Sequence, residues 1–157
     1  MSLWTLNDIS EKLRDIDFAM LLTRSGSDEI TGRPMSNNRD VEYDGDTYFF
    51  TLQGADMVAH IERQPKVALS YAGNKGLLGK PPMFIAMQGV AELIRDKDQF
   101  AMHWTNDLES WFENGIDTPG LVLIKVHATR IHYWDGDEEG EVRVSADQAA
   151  APVRQRA

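Results

Sequence analysis

The spacing of apolar residues along the chain predicts an amphipathic helix near the N-terminus and shorter helices farther on. Four apolar residues recur at spacings of three and four positions: Leu6, Ile9, Leu13 and Ile16. This spacing is typical of one helix face, and Thr5 followed by Asp8 resembles a capping box at its start. Shorter helices are expected over residues 57–61, 96–104 and 108–112.

Between these helices, short apolar runs and alternating segments predict β-strands. The predicted strands cover residues 18–23, 30–43, 47–53, 66–72, 83–94 and 121–134. Turn-forming residues at 25–28 and at 44–46 each predict a hairpin. Pro34 cannot donate a ladder hydrogen bond, so it predicts an edge, a bulge or a bend. Gly89 predicts a bulge in the fifth strand.

The third predicted strand alternates between two sets of side chains. One face carries Tyr48, Phe50 and Leu52, and the other carries Phe49, Thr51 and Gln53. No strand–helix alternation is long enough for a doubly wound parallel sheet. The pattern therefore favours a mainly β fold, an antiparallel sheet with peripheral helices that closes into a small or partly open barrel.

Composition narrows the classes of partner. The 157 residues suit one domain, and 16 basic against 25 acidic residues give a net charge of −9. Such a charge repels phosphate backbones and anionic lipid, so neither nucleic acid nor a membrane is expected as a partner. There is no cysteine, which excludes disulfides and thiol catalysis. With no signal-peptide pattern at the N-terminus, a cytoplasmic location is expected.

The histidines and glycines give weak signals for chemistry. His127 and His132, five residues apart on one predicted strand, are expected on opposite faces, and His103 with Asp107 lacks a third ligand. No metal site is therefore predicted. The glycines of residues 73–79 do not follow the order of a phosphate-binding loop, so this segment is interpreted as a flexible connection. Its Lys75, like Lys80 just beyond it, offers positive charge to a ligand phosphate.

An ordered series of segments carries the more specific signal. It consists of residues 32–36 (Gly-Arg-Pro-Met-Ser), 48–51 (Tyr-Phe-Phe-Thr), 57–61 (Met-Val-Ala-His-Ile), 64–71 (Gln-Pro-Lys-Val-Ala-Leu-Ser-Tyr) and 133–135 (Tyr-Trp-Asp). The series resembles the general stress protein branch of the pyridoxamine 5'-phosphate oxidase-related family, the FMN-binding split barrels. The resemblance extends over residues 6–135.

The resemblance implies a six-stranded antiparallel split β-barrel that forms a homodimer, with FMN in the subunit interface. FAD or another flavin is the alternative cofactor. The implied cofactor-binding residues are Arg33, Pro34 and Met35 along the ring; Phe49, Phe50 and Thr51 beside the ring and ribityl chain; Gln53, Asp56 and Met57 near the phosphate; and Lys75. Three tryptophans, Trp104, Trp111 and Trp134, are implied to cover the ring from the partner subunit.

Two neighbouring positions depart from the family pattern. Members usually carry lysine where this chain has Met57, and small polar residues where it has Asp56. Because one positive charge is missing and one carboxylate is added, weaker phosphate binding is expected unless Arg33, Lys75 or Lys80 compensates.

Several of these residues also suit purely structural roles. Arg33 fits an ordinary surface arginine, Thr51 a plain strand residue and Trp134 a seal at the barrel end. For Trp104 and Trp111, packing of a helix is favoured over covering a flavin. No catalytic acid or base is identified.

Residues 1–135 are expected to form the flavin-binding domain, and residues 136–157, acidic and then rich in Ala, Gln and Arg, are expected to form a mobile tail. The function that the sequence favours is an FMN-binding redox or stress protein. A non-catalytic flavin carrier or sensor, and a flavin-free dimeric interaction module, are the alternatives, and the Met57 departure favours the last.

Overall fold

The first helix begins where the sequence predicts it. A computed structural model describes residues 3–144 of the chain. In it, α1 (Leu6–Leu13) starts with a complete capping box. The Asp8 amide donates to Thr5 Oγ1 at 3.3 Å, and the Thr5 amide donates to Asp8 Oδ2 at 2.7 Å. The helix then buries Ile9 and Leu13.

One curled antiparallel sheet is the main structural element of the described residues. Its strands are β1 (Phe18–Arg24), β2 (Ile30–Ser36), β3 (Asp46–Leu52), β4 (Lys66–Ala72), β5 (Phe84–Ile94), β6 (Leu121–Asp135) and β7 (Glu138–Arg143). Two further α-helices are α2 (Asp56–Arg63) and α3 (Lys97–His103), and 3-10 turns cover Leu77–Gly79, Asn106–Ser110 and Gly115–Asp117. The strand order is β2-β1-β4-β5-β6-β3, with β7 added beside β6. The prediction of a mainly β, six-stranded antiparallel split barrel with peripheral helices is confirmed.

The hairpin predicted at residues 44–46 is wrong. Strands β2 and β3 lie at opposite ends of the sheet order, and β3 pairs with β6, with Tyr48 opposite Lys125. The predicted turn residues do form a local contact, in which Asp44 Oδ1 accepts a hydrogen bond from the Asp46 amide at 3.1 Å. Strand β2 ends at Ser36, and the chain then crosses to the far edge instead of folding back. Of the edge, bulge or bend predicted for Pro34, the structure shows the edge, since within residues 3–144 strand β2 pairs with β1 alone.

The bulge predicted at Gly89 is confirmed, and it changes the faces of the histidines. Gln88 pairs with Arg130 and Gly89 pairs with Ala128, so that Thr129 has no opposite residue. A Cβ on Gly89 would lie 2.6 Å from the His127 carbonyl oxygen, which is why glycine is needed there.

The extra residue shifts the alternation of β6 by one position. The buried core residues of this stretch are Val126, Ala128, Ile131 and Tyr133. His127 and His132 both lie between these residues, on the outer face of the sheet. The expectation that they lie on opposite faces is therefore wrong, because it assumed a strand without a bulge.

The sheet continues past residue 135, where the sequence predicted the start of a tail. Strand β7 pairs with β6, and Arg130 donates to both carboxylate oxygens of Glu141 at 2.8 and 2.9 Å. Backbone pairing and ion pairs stabilise this hairpin. Its polar sequence lacks the apolar alternation by which a strand is predicted, so the sequence did not predict β7. The mobility predicted for the tail falls mainly on residues 145–157, which lie outside the described residues.

Two groups of apolar side chains stabilise the fold. The main core fills the inside of the curled sheet and includes Leu21, Leu69 and Ile131, each at most 1% exposed. A second cluster lies on the outer side of β3 and β6, where α3 packs Phe100 against Leu121 and Leu123. No helix within residues 3–144 is long and apolar enough to cross a bilayer.

Candidate functional site

A cleft of about 800 Å³ opens at the split of the barrel, between the edge strands β2 and β3. Strands β1 and β2 and the loop after β2 contribute Phe18, Pro34, Met35, Ser36, Asn37 and Asn38. Strand β3 and the start of α2 contribute Tyr48, Phe49, Phe50, Thr51, Leu52, Gly54, Ala55 and Met57. The segment after β5 contributes His103, Thr105, Asp107, Leu108, Trp111 and Phe112. The size and the mostly apolar lining of the cleft suit an organic ligand.

The cleft exists because neither edge strand has a partner on its open side within residues 3–144. Pro34, opposite Met20 on β1, has no amide proton to offer another strand. An edge strand leaves peptide N–H and C=O groups without ladder partners. Such groups are suited to bind the polar rim of a planar ligand, while the side chains contact its faces.

Aromatic side chains form the walls of the cleft. Phe49 is 3% exposed and belongs to the main core, whereas Phe50 lies on the opposite face of β3. The Phe50 ring contacts the Trp104 ring edge-on, with their centroids 5.0 Å apart. The centroids of Trp104 and Phe112 are 6.0 Å apart. Trp111 stands at the mouth and is 71% exposed. Trp104 thus supports the wall from behind, as the packing interpretation expected, and Trp111 faces the ligand space.

One end of the cleft lies at the start of α2. The N-cap residue Ala55 lines the cleft and provides no side-chain cap, so the first amides of the helix have no capping side chain. Free amides and the helix dipole favour an anion at such an end. Asp56 adds a carboxylate to the first turn, and Met57, which lines the cleft, adds no charge.

A histidine and a tyrosine form the polar end of the cleft. The His103 ring stacks on Tyr48 with centroids 3.7 Å apart. Burial lowers the pKa of His103, with Lys125 adding to the effect and Asp46 opposing it. The imidazole is therefore neutral at pH 7. Burial likewise raises the pKa of Tyr48, so its hydroxyl remains protonated.

A buried carboxylate lies behind this pair. The Asp46 side chain is 1% exposed, and its Oδ1 lies 2.7 Å from His127 Nδ1. Its Oδ2 lies 3.9 Å from Lys125 Nζ. Asp46 and His127 are also opposite each other in the β3–β6 ladder. The group therefore fixes the end of β3 that carries Tyr48.

The cleft brings together many of the residues that the sequence assigned to a cofactor site. These are Pro34, Met35, Phe49, Phe50, Thr51, Met57 and Trp111. Trp111 lies over the cleft of its own chain, whereas the resemblance placed it over the partner's. The other assigned residues, Arg33, Gln53, Asp56, Lys75, Trp104 and Trp134, do not line it.

Arg33 is held beside the core and does not point into the cleft. Its Nη1 donates to Thr23 Oγ1 at 2.8 Å and to the Leu21 carbonyl at 3.1 Å, and its Nη2 donates to Thr31 Oγ1 at 2.9 Å. Partial burial lowers the pKa of Arg33, and nearby Asp56 offsets part of this effect. The guanidinium is thus near the start of α2 but engaged by neutral groups.

Three other residues assigned to the cofactor site lie outside the lining of the cleft. The Gln53 side-chain oxygen accepts from Arg95 Nε at 2.9 Å. Trp134 lies on the outer face of the sheet, 38% exposed, with its ring 5.5 Å from that of His132. Lys75 is exposed in the loop between β4 and β5.

Sequence reasoning missed the polar end of the cleft. The alternation of β3 put Tyr48 on the same face as Phe50, and that face packs against the segment that carries His103. This signal is enough to nominate Tyr48. His103 and Asp107 had been considered only as metal ligands, and no group of three or more His, Cys, Asp or Glu residues between 3 and 144 is placed to hold a metal ion.

Among the described residues, no lysine or arginine lines the cleft. Asp107 is its charged residue. The guanidinium of Arg33, which precedes the lining residue Pro34, is engaged with threonines and a carbonyl. A ligand that carries a phosphate must therefore depend on the amides of α2 or on charges from elsewhere.

Comparison with solved structures shows the same fold. A protein related to general stress protein 26 from Clostridium acetobutylicum has a TM-score of 0.74 at 17% identity, over 88% of this chain and 94% of that one. General stress protein 26 from Bacillus anthracis has a TM-score of 0.68 at 22% identity, over 87% and 95%. A heme binding protein from Mycobacterium smegmatis has a TM-score of 0.70 at 13% identity, over 95% and 62%.

No match to a curated protein was found. The family model described as "Pyridoxamine 5'-phosphate oxidase like" matches residues 5–157, nearly the whole chain. With the split barrel in place and the cleft lying between its edge strands, the resemblance read from the sequence is confirmed at the level of the family. The chain belongs to the pyridoxamine 5'-phosphate oxidase like family.

Proposed function

We propose that this protein binds FMN in the cleft between β2 and β3 and works as a flavoprotein in redox or stress physiology. The observation that carries the proposal is the cleft itself. This cleft of about 800 Å³ is lined by Pro34, Met35 and residues 49–51, the segments that the family resemblance implies lie beside the flavin ring and ribityl chain. Planar walls and open strand edges fit a ring with apolar faces and a hydrogen-bonding rim.

The residues present have defined parts in this proposal. Pro34 and Met35 would lie along the ring, and Phe50 and Thr51 would border the ring and the ribityl chain. The amides of Asp56 and Met57, the first two residues of α2, would meet the phosphate. Bound FMN would supply one- and two-electron transfer, and the protein would supply position and electrostatics. His103 would present a neutral imidazole, able to accept or donate one hydrogen bond at the polar end.

The outer face of the sheet supports a homodimer as part of this proposal. In successive strands Met20, Ser70, Ala86 and His132 lie opposite one another. The neighbouring row ends in Phe84 opposite Trp134, and these are 44% and 38% exposed. Small residues in the centre with large apolar residues around them make a face that packs well against a copy of itself.

Titration with FMN tests the proposed cofactor. Flavin fluorescence should be quenched with one FMN bound per chain. Ala55→Trp, which fills the end of the cleft at the start of α2, should abolish binding, whereas Ala59→Trp, on the exposed side of α2, should leave it intact. Absence of binding to the native chain, or equal loss in both variants, would overturn the assignment of this cleft to FMN.

Redox activity needs its own measurement. Reduction of the FMN-loaded protein by NADH or NADPH, followed by reoxidation in air, should be visible as loss and return of the flavin absorbance. A flavin that binds but is not turned over would support the carrier or sensor alternative instead. A chain that dimerises without binding any flavin would support the interaction module.

Haem is a second candidate ligand, because His103 lines the cleft with its imidazole neutral. Neutral imidazole is a common axial ligand of haem iron, and a structure with this fold belongs to a heme binding protein. Titration with hemin should then give a shifted Soret band that His103→Ala removes. A spectrum unchanged by this substitution would reject His103 as the ligand.

A further inference from the structure

A small recess of about 40 Å³ adjoins the polar end of the cleft. Its walls come from the end of α1, the chain between β2 and β3, the start of β3, and the end of α3 with the residues just after it. Five residues line both spaces: Asn37, Asn38, Tyr48, His103 and Thr105. A molecule in the cleft can therefore extend a small group into the recess, which has no part in the proposed binding of FMN.

Negative charge lines the recess. Its charged residues are Glu42 and Asp46, and among residues 3–144 no lysine or arginine lines it. The carboxylate of Asp46 is engaged by His127 and Lys125. The carboxylate of Glu42, in contrast, forms no hydrogen bond or ion pair with another residue of the described range. One carboxylate of the recess is thus left for a ligand.

The surroundings of Tyr48, which lines both the recess and the cleft, are also negative. Burial is the main reason that the pKa of Tyr48 is raised, and the carboxylates of Asp46, Asp44 and Glu92 raise it further. Lys125, whose Nζ lies 3.9 Å from Asp46 Oδ2, offsets one of these charges. The place where recess and cleft meet is therefore favourable for a cation and unfavourable for an anion.

The recess also contains hydrogen-bond acceptors that the chain itself does not use. Asn37 Nδ2 donates to the carbonyl oxygens of Leu13 and Ile16, at 3.0 and 2.8 Å, which leaves the side-chain oxygen of Asn37 as an acceptor. Thr47, another lining residue, is 9% exposed, and its hydroxyl has no hydrogen-bond partner within residues 3–144. A buried hydroxyl without a partner is unfavourable, so a ligand that donates a hydrogen bond would stabilise it.

We propose that the recess binds the ammonium group of an alkylamine whose carbon chain lies along the cleft. An ammonium group is positive and has three hydrogen-bond donors and no acceptor. It therefore matches the free carboxylate of Glu42 and the acceptors of Asn37 and Thr47 in both charge and kind. A recess of this volume holds one group about the size of a water molecule, and apolar lining residues such as Leu13 and Met102 suit the adjoining carbon atoms.

Titration with n-butylammonium chloride tests the site on the native chain, through the nuclear magnetic resonance signals of its backbone amides. The amide signals of Glu42 and Thr47 should shift and saturate as the concentration of the amine rises. 1-Butanol, which has the same carbon chain and no charge, should bind at least about tenfold more weakly, because it lacks charge-assisted hydrogen bonds. Equal binding of 1-butanol, or the same shifts with potassium chloride, would overturn the inference.

Two substitutions test the residues of the recess. Glu42→Gln keeps the shape of the side chain and removes its charge, so it should weaken the binding of n-butylammonium about tenfold. Thr47→Val removes the hydroxyl and should weaken binding by a smaller factor. It should not lower the melting temperature, since this hydroxyl has no partner to lose. Glu29→Gln, in the exposed turn between β1 and β2, is the matched control and should bind as the native chain does.

The charge of Glu42 decides the outcome. Native affinity in Glu42→Gln would show that the recess does not bind the ammonium group, and an equal loss of affinity in Glu29→Gln would show only an effect of net charge. Either result would overturn the inference. None of these measurements requires a flavin, so they test the recess separately from the proposed binding of FMN.

Discussion

On the inner face of the sheet, Leu21, Leu69, Met87 and Ile131 lie opposite one another across four strands, and each is at most 1% exposed. One residue away on the same strands, the outer face carries Met20, Ser70, Ala86 and His132 in the same register. Here Met20 is 42% exposed. The two rows differ by a single step in the strand, yet the inner row is buried and the outer row is partly or largely exposed.

The comparison separates two roles of apolar residues. The inner row removes large side chains from water within one chain, so its free energy contributes to folding. The outer row has small residues in its centre and exposed aromatic residues beside it, which fits association of chains. Substitutions in the inner row should therefore change the free energy of unfolding, and substitutions in the outer row should change assembly.

The largest effect is expected from a pair of methionines. Met87→Ala should lower the free energy of unfolding by about 2 to 5 kcal/mol, because it leaves a cavity in a filled core. Met20→Ala, the matched change on the outer face, should cost less than about 1 kcal/mol in the dissociated chain. Urea unfolding monitored by tryptophan fluorescence at low protein concentration measures both. Similar costs for the two variants would contradict the separation of roles.

The division of the strands into an inner and an outer face could be predicted from the sequence, because it depends on local alternation of apolar and polar residues. Segments such as residues 66–72 show a period of two, and the helix of Leu6–Leu13 shows its stripe and its capping pair. Those signals, with the ordered series of motifs, were enough for the fold.

Pairing between distant segments could not be predicted in this way. The turn chemistry at Asp44 was interpreted as a hairpin, whereas Tyr43 and Gly45 are fixed by contacts with Ser10 and Ala128 from other elements. Alternation also says nothing about an unpaired residue such as Thr129. The faces assigned to the histidines were wrong for this reason.

The residues of the candidate site also include some that could be predicted from the sequence and one, His103, that could not. Pro34 and Phe50, which line the cleft from β2 and β3, are among the residues that the family resemblance implied for the site. His103 enters the cleft only because α3 packs across β3 and stacks it on Tyr48. Such a contact depends on tertiary packing, and a lone histidine gives no local signal for it.

A charge in the centre of the outer face should prevent assembly. Ala86 lies between Ser70 and His132, and it is exposed in the single chain. Ala86→Arg should convert the proposed dimer into a monomer of 17.7 kDa, because a buried arginine without a partner is unfavourable at an interface. Light scattering measures the mass, and Glu29→Arg in the β1–β2 turn is the control. A dimer that persists in Ala86→Arg would show that another surface mediates association.

Truncations should distinguish the last strand from the residues after it. Removing residues 136–157 deletes β7, including Glu138, which accepts from Trp4 Nε1 at 2.9 Å, and Gly140, which packs against Tyr133. This should lower the melting temperature by several degrees. Ending the chain after Ser145 should leave the melting temperature and the FMN affinity unchanged. A large loss with the shorter deletion would show that residues 146–157 contribute to the fold or to the site.

The smallest predicted effect concerns the affinity for FMN in the cleft, where the inner and outer faces of the sheet meet. The cleft is lined by Phe18 and Pro34 from the outer face and by Met35 and Phe49 from the inner face, so it is neither filled core nor flat surface. At its helix end Met57 provides no charge where a phosphate is expected. Met57→Lys should tighten FMN binding by about 5- to 20-fold, because one partly exposed charge contact contributes about 1 to 2 kcal/mol.

Riboflavin separates the phosphate from the ring in this experiment. Fluorescence quenching should show that Met57→Lys leaves riboflavin affinity unchanged, since that ligand lacks the anion. Asp56→Asn should act in the same direction as Met57→Lys but more weakly, because it removes a repulsion and adds no attraction. If Met57→Lys tightened both ligands equally, or neither, residue 57 would not face the phosphate. The ligand would then lie the other way round in the cleft, with its ring towards α2 and its charged end towards His103.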